Sequence, residues 1–205
     1  MKVLKATKTN ITTAAETVKK GGLVIYPTET VYGLGCDPLN PDAVQQLLTV
    51  KGERNKPLPI LASSIGEVDK IAFISSKGKR LATRFWPGPL TMVFPRKPVL
   101  PDVVTLGWDT VGLRIPCNDV ALDLIRLAGG LLVGSSANRS GETPPRAVQE
   151  LSRELKNMVD IILDCGATAH GMPSTVADLT SENPKILRKG PISLQELLDA
   201  LAFGN

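Results

Sequence analysis

Three hydroxyls, a carboxylate and two glycines crowd residues 27–35, PTETVYGLG, directly after the apolar run Leu23-Val-Ile-Tyr26. Gly33 and Gly35 would let backbone amides come close to a ligand, and Thr28, Thr30 and Tyr32 offer hydroxyls to hold it. A plain strand-end turn has similar needs, so this segment alone does not decide. A second segment, KGERNKPL at 51–58, places Lys51, Arg54 and Lys56 within six residues. Cations so spaced suit phosphate or carboxylate oxygens, or a solvated loop. A third, GSSANRSG at 134–141, follows the apolar run Leu131–Val133 and suits an anion or carboxylate cradle. Two arginines end apolar runs, Arg114 in VGLRIP and Arg188 in KILRKG. An arginine at the edge of a buried run must be paired or face a site.

Other chemistries are disfavoured. His170 is the only histidine, so a histidine-rich metal centre is excluded. The run Gly134-Ser135-Ser136-Ala137-Asn138 is faintly like a nucleophile elbow, but Asn138 stands where glycine belongs and a triad would depend on His170 alone. There is no GxxxxGK[ST] loop, because Phe73 precedes Gly78-Lys79 at the glycine position. There is no GxGxxG either, because Gly33-Leu-Gly35 runs into Cys36-Asp37-Pro38. Cys36, Cys117 and Cys165 are far apart and form no CxxC pair, so all three read as small core residues.

The elements that must position these groups alternate in type. The 205 residues are 42% hydrophobic and 21% charged, with a net charge of +4, which suits one globular domain over residues 1–205 and anionic partners. No apolar run reaches the ~18–20 residues of a membrane span, and the N-terminus has no signal core, so the expected location is cytoplasmic. Strands are expected near residues 3–6, 23–26, 58–62, 90–94, 111–115, 131–133, 159–163, 175–179 and 186–187. Helices are expected over 11–20, from Asn40-Pro41, over 77–85, from Asn118 to Leu127, over 147–156, and from the capping box Ser193-x-x-Glu196. This alternation argues for an α/β fold, a twisted open mixed sheet flanked by helices.

Taken in order, YPTETVYGLG, KGERNKPL, FWPGPLT, VGLRIP, GSSANRSG, STVADL and ILRKG resemble the YrdC-like threonylcarbamoyl-adenylate synthases across nearly the whole chain. The length matches a synthase domain without a C-terminal extension. The resemblance implies that L-threonine, bicarbonate and ATP combine, with Mg²⁺, to threonylcarbamoyl-AMP and pyrophosphate. A separate transferase would then carry the threonylcarbamoyl group to the adenosine beside the tRNA anticodon. Affinity for tRNA or double-stranded RNA is a further expectation.

By motif match the resemblance assigns Thr30, Ser136, Ser174 and Arg114 to threonine, Arg114 to its carboxylate, with Thr28 and Tyr32 shaping the pocket. Lys51 and Arg54 fall to the ATP phosphates and to catalysis. Thr110, Asn138 and Arg188 complete the nucleotide site, and no residue is assigned to a metal. Two places depart from the pattern. Glu53 stands where the family's Lys-x-Arg has arginine, so Arg54 or Lys56 takes that role. Arg146 replaces a small hydroxyl residue near the nucleotide. The alternatives are a non-catalytic RNA-binding module of the same fold, and the related domain of hydrogenase-maturation carbamoyltransferases, which sits in longer, cysteine-rich chains.

Overall fold

A computed structural model describes residues 2–53 and 55–202. The chain opens with β1 (Lys2–Lys5) and α1 (Lys8–Lys19), then β2 (Val24–Tyr26) and β3 (Gly33–Gly35), which pair antiparallel on either side of the Pro27–Tyr32 loop. Helix α2 (Pro41–Lys51) starts as its sequence predicts. Asn40 Oδ1 accepts from the N–H groups of Asp42 and Ala43 at 3.1 and 3.2 Å, and Pro41 occupies the first turn. There follow β4 (Ile60–Ala62), α3 (Ile65–Ile71), α4 (Ser76–Phe85), β5 (Leu90–Pro95), α5 (Asp102–Thr105), β6 (Thr110–Arg114), α6 (Asp119–Ala128), β7 (Leu131–Val133) and β8 (Ser135–Ser136). A 3₁₀ turn (Val148–Glu150), α7 (Arg153–Asn157), β9 (Ile161–Asp164), β10 (Thr175–Asp178), β11 (Lys185–Arg188) and α8 (Leu194–Ala202) complete the chain.

The architecture is α/β with mixed pairing, as expected, and the ladders group in two sheets. One has the order β1-β9-β2-β3-β8, the other β11-β10-β5-β6-β4-β7. They are joined where the chain passes from β7 through Gly134 into β8. There Val133 N–H donates to Cys36 O and the Tyr26 hydroxyl donates to Val133 O, both at 2.9 Å. Burial of both faces explains the unbroken apolar run of β2. Ile25 enters the larger core with Tyr32 and Leu34, while Val24 and Tyr26 point the other way, into a second core with α1 and α6. No helix among the described residues is long and apolar enough to cross a membrane.

Two expectations are corrected. The helix over 147–156 is broken, because Glu150 turns its carboxylate back to accept from Arg146 N–H at 2.6 Å and Ser152 starts α7 afresh by accepting from Leu155 N–H. Of the cysteines only Cys36 is a core residue, its thiol pushed up to about 12 by burial, while Cys117 and Cys165 sit exposed in turns beyond β6 and β9. The glycines of YGLG, which the sequence left undecided, have a packing role. A Cβ on Gly33 would come within 2.8 Å of the Tyr26 ring, and one on Gly35 within 2.6 Å of Val133 O. Gly35→Ala therefore forces the junction of the two sheets apart. It is expected to cost about 1–3 kcal/mol, seen as a lower urea midpoint at unchanged slope.

Candidate functional site

Strand ends of both sheets meet at one place. The C-terminal ends of β2, β6 and β9 converge there with β8 and the N-terminal ends of β5 and β10, since β5 runs antiparallel to β6 and parallel to β10. In a twisted α/β sheet such an end is where loops are free to carry chemistry.

Thr28 organises the loop after β2. Its hydroxyl donates to Val31 O at 2.7 Å and accepts from the N–H groups of Thr30 and Val31 at 3.1 and 3.3 Å. With that proton committed, the 2.8 Å contact between the two threonine hydroxyls is donated by Thr30. Thr30 Oγ1 in turn accepts from Arg114 Nη1 at 3.2 Å. The proton order therefore runs from guanidinium to Thr30, to Thr28, to a carbonyl, and leaves Thr30 a lone pair to offer.

Arg114 ends β6 and is 5% exposed; its ionic partner is Glu29, 7% exposed, with Nη2 and Oε2 3.3 Å apart. Burial pulls the guanidinium below its ordinary pKa, and Glu29 opposes that. The pair is incompletely satisfied. Glu29 Oε1 and Arg114 Nε are buried without a hydrogen-bond partner among the described residues. Sequence reading overlooked Glu29. The available signal was a carboxylate inside a hydroxyl-rich strand-end loop, in a chain whose Arg114 needed a partner.

Lys51 closes α2 and is 2% exposed. Its ammonium donates to Ser136 O at 2.7 Å and to Asn138 O, with Asn138 Oδ1 at 3.5 Å. The Asn138 amide donates to the carbonyls of Arg139 and Glu142 at 2.9 and 2.7 Å, and Ser140 N–H returns to Lys51 O at 3.0 Å. The 134–142 loop is thus wound about one buried cation. Ser136 pairs with Gly33, which brings this loop beside the Thr28–Tyr32 segment.

Ser174 precedes β10, buried, with its hydroxyl 2.8 Å from Thr91 Oγ1. Arg188, exposed on β11, donates to Ser174 O from Nε and Nη2 at 3.0 and 2.8 Å, and to its Oγ at 3.0 Å. Since Met92 lies opposite Leu113, the Thr91–Ser174 contact falls beside Arg114.

Tyr32 turns toward the loop after β9. Its hydroxyl donates to Gly166 O at 2.8 Å and accepts from Cys165 N–H at 3.1 Å, and burial pushes its pKa up to about 12. The same loop covers Glu29 and Thr30, through His170 N–H to Glu29 O at 2.9 Å and Thr168 Oγ1 to Thr30 O at 3.0 Å. Arg146 is exposed and packs on Gly171, with its carbonyl accepting from Thr168 N–H.

The structure thus brings Thr28, Thr30, Tyr32, Arg114, Lys51, Ser136, Asn138, Ser174 and Arg188 to one end of the fold. Thr110 lies at the other end of β6 from Arg114, about 13 Å away by strand rise. Lys56 is exposed in the loop leading to β4, and Arg54 lies outside the described residues. No group of three or more His, Cys, Asp or Glu that could hold a metal occurs among the described residues. Two cavities lie elsewhere. One of about 420 Å³ is lined by Phe73, Ile74, Phe94 and Leu179, and one of about 360 Å³ lies between α1 and α6.

Known proteins resemble this chain over most of its length. The Sua5–YciO–YrdC family, described as telomere recombination, matches residues 16–190. A threonylcarbamoyl-AMP synthase of Pyrococcus abyssi is 40% identical over 186 residues, 90% of this chain and 55% of that protein. A putative threonylcarbamoyl-AMP synthase of Mycobacterium tuberculosis is 37% identical over 199 residues, 93% of this chain and 88% of that one. The crystal structure of P. abyssi Sua5 complexed with L-threonine superposes with a TM-score of 0.94 at 37% identity, covering 98% of this chain and 61% of the other. The chain thus spans little more than half of the archaeal relative.

Proposed function

Since the chain belongs to the Sua5–YciO–YrdC family, we propose that it is a threonylcarbamoyl-AMP synthase, a transferase of the nucleotidyl-transferring kind. Arg114 carries the reading: it is a nearly buried guanidinium, ordered by Thr30, with an unspent Nε–H. Such a group fits a small carboxylate, and the relative that superposes on this chain is complexed with L-threonine.

In this reading the threonine carboxylate pairs with Arg114. Thr30, Ser136 and Ser174 surround the rest of the molecule, and Thr28 and Tyr32 hold the loops in place. The ammonium first gives up a proton to solvent; the free amine then attacks the carbon of bicarbonate, an N–H proton and the bicarbonate hydroxyl leave together as water, and a carbamate forms. A carbamate oxygen then attacks the α-phosphorus of ATP, the bond to the β-phosphate oxygen breaks, and pyrophosphate departs with the electron pair. Lys51, with Arg54 or Lys56, neutralises phosphate charge, and Mg²⁺ enters as the nucleotide's counter-ion. Asn138, Arg146, Arg188 and Thr110 face the nucleotide, whose length spans the separation of Thr110 from Arg114. Catalysis is then positioning plus charge neutralisation, which needs no covalent intermediate. A carbamate and its mixed anhydride hydrolyse readily, so the buried setting of Arg114 and Thr30 protects them. The product is a substrate for a separate tRNA-modifying transferase.

Pyrophosphate release with ATP, bicarbonate and Mg²⁺ tests the proposal. Release is expected to require L-threonine and to be much weaker with L-serine. Threonine-independent release, or none from folded protein, refutes it.

A further inference from the structure

We propose that Glu29 is the residue that reads the α-ammonium group of the amino-acid substrate, through its unpartnered Oε1. The inference rests on the threonine reading above and deepens it.

Glu29 meets Arg114 by one long contact, Oε2 to Nη2 at 3.3 Å, while Oε1 and Nε stay buried and unpaired. Leaving a buried donor and a buried acceptor unmade is unfavourable, and most folded chains avoid it. Here the two orphans are of opposite kind and belong to the two halves of one ion pair. A ligand that satisfies both must accept at Nε and donate at Oε1. It must also add no net charge, because the pair is already neutral and an uncompensated charge in this setting is costly. A zwitterion meets both conditions, with its carboxylate on Arg114 and its ammonium on Glu29; a simple carboxylic acid anion meets only the first. The backbone on which Glu29 is mounted is held firmly. Its carbonyl accepts from His170 N–H, and the next carbonyl accepts from Thr168 Oγ1. The carboxylate therefore adjusts by side-chain torsion alone.

This assignment separates Glu29 from a merely structural partner of Arg114. A structural partner influences every carboxylate ligand alike, whereas an ammonium reader influences only ligands that carry the amine.

Isothermal titration of the protein with L-threonine and with (R)-3-hydroxybutanoate, which keeps the carboxylate and hydroxyl and lacks the amine, tests the difference. Wild type is expected to prefer threonine by roughly 10–100-fold, the scale of one charge-assisted hydrogen bond. In Glu29→Gln the affinity for threonine falls toward that for (R)-3-hydroxybutanoate, whose own affinity stays within about threefold. Equal losses for both ligands in the variant overturn the proposal. So does a wild-type preference near one, which needs no variant and so holds even if Glu29→Gln does not fold. Glu29→Asp keeps the charge and retains part of the preference. Failure of wild type to bind either ligand refutes the threonine reading itself, an outcome distinct from binding both equally.

Discussion

Arg114→Met is expected to melt well below wild type and to lose threonine-dependent activity. Arg114 and Glu29 are 6% and 7% exposed in their side chains and face each other at 3.3 Å. Removing the guanidinium strands the Glu29 carboxylate in a site too dry to solvate it, at a cost of about 3–5 kcal/mol. In a chain of this size each kcal/mol moves the melting temperature by about 2–4 °C, so a drop of roughly 6–20 °C follows. The Thr30 hydroxyl also loses the donor at 3.2 Å that fixes its proton order. The double variant Glu29→Met/Arg114→Met separates stability from function. Replacing a buried pair by apolar side chains is often neutral, so calorimetry should show most of the lost stability restored. Activity stays absent, because the proposed carboxylate anchor is gone. A single variant as stable as wild type, or a double variant that turns over threonine, contradicts this.

Lys51→Met is expected to leave the fold cooperative but to lower pyrophosphate release by about a hundred- to a thousandfold, the usual effect of removing one well-placed charge from a reaction centre. The ammonium is the hub of the 134–142 loop, bound to the carbonyls of Ser136 and Asn138. Without it those carbonyls lose a donor at about 1–3 kcal/mol each, so hydrogen exchange should rise across residues 134–142. Lys51→Arg should not rescue, since a planar guanidinium does not fit a slot built around a compact ammonium. Near-normal turnover by either variant removes Lys51 from the phosphate role.

What could be read in advance follows the range of the interactions. The Asn40-Pro41 start, the Ser193–Glu196 capping box and the apolar runs of β2 and β7 depend on neighbours a few residues apart, and each stands as read. Gly33 and Gly35 could not be decided from the sequence because their packing role is spatial. They make room for the Tyr26 ring, a contact that exists only once β2 and β3 pair. Ser64-Ile-Gly-Glu67 starts α3 through Ser64 Oγ accepting from Glu67 N–H at 3.4 Å, a local signal obscured by Gly66. Arg114 could be expected to need a partner, but that partner lies 85 residues earlier in the chain. Lys51 could be recognised as a cation beside a candidate site. That it is buried on backbone carbonyls of a distant loop follows only from the fold.

The most direct measurement is mass spectrometry of the nucleotide products formed from ATP, L-threonine and ¹³C-labelled bicarbonate. A threonylcarbamoyl-AMP peak that carries the label, and vanishes in Arg114→Met/Glu29→Met, is the predicted result. Folded wild-type protein that yields no labelled adenylate under these conditions contradicts the account.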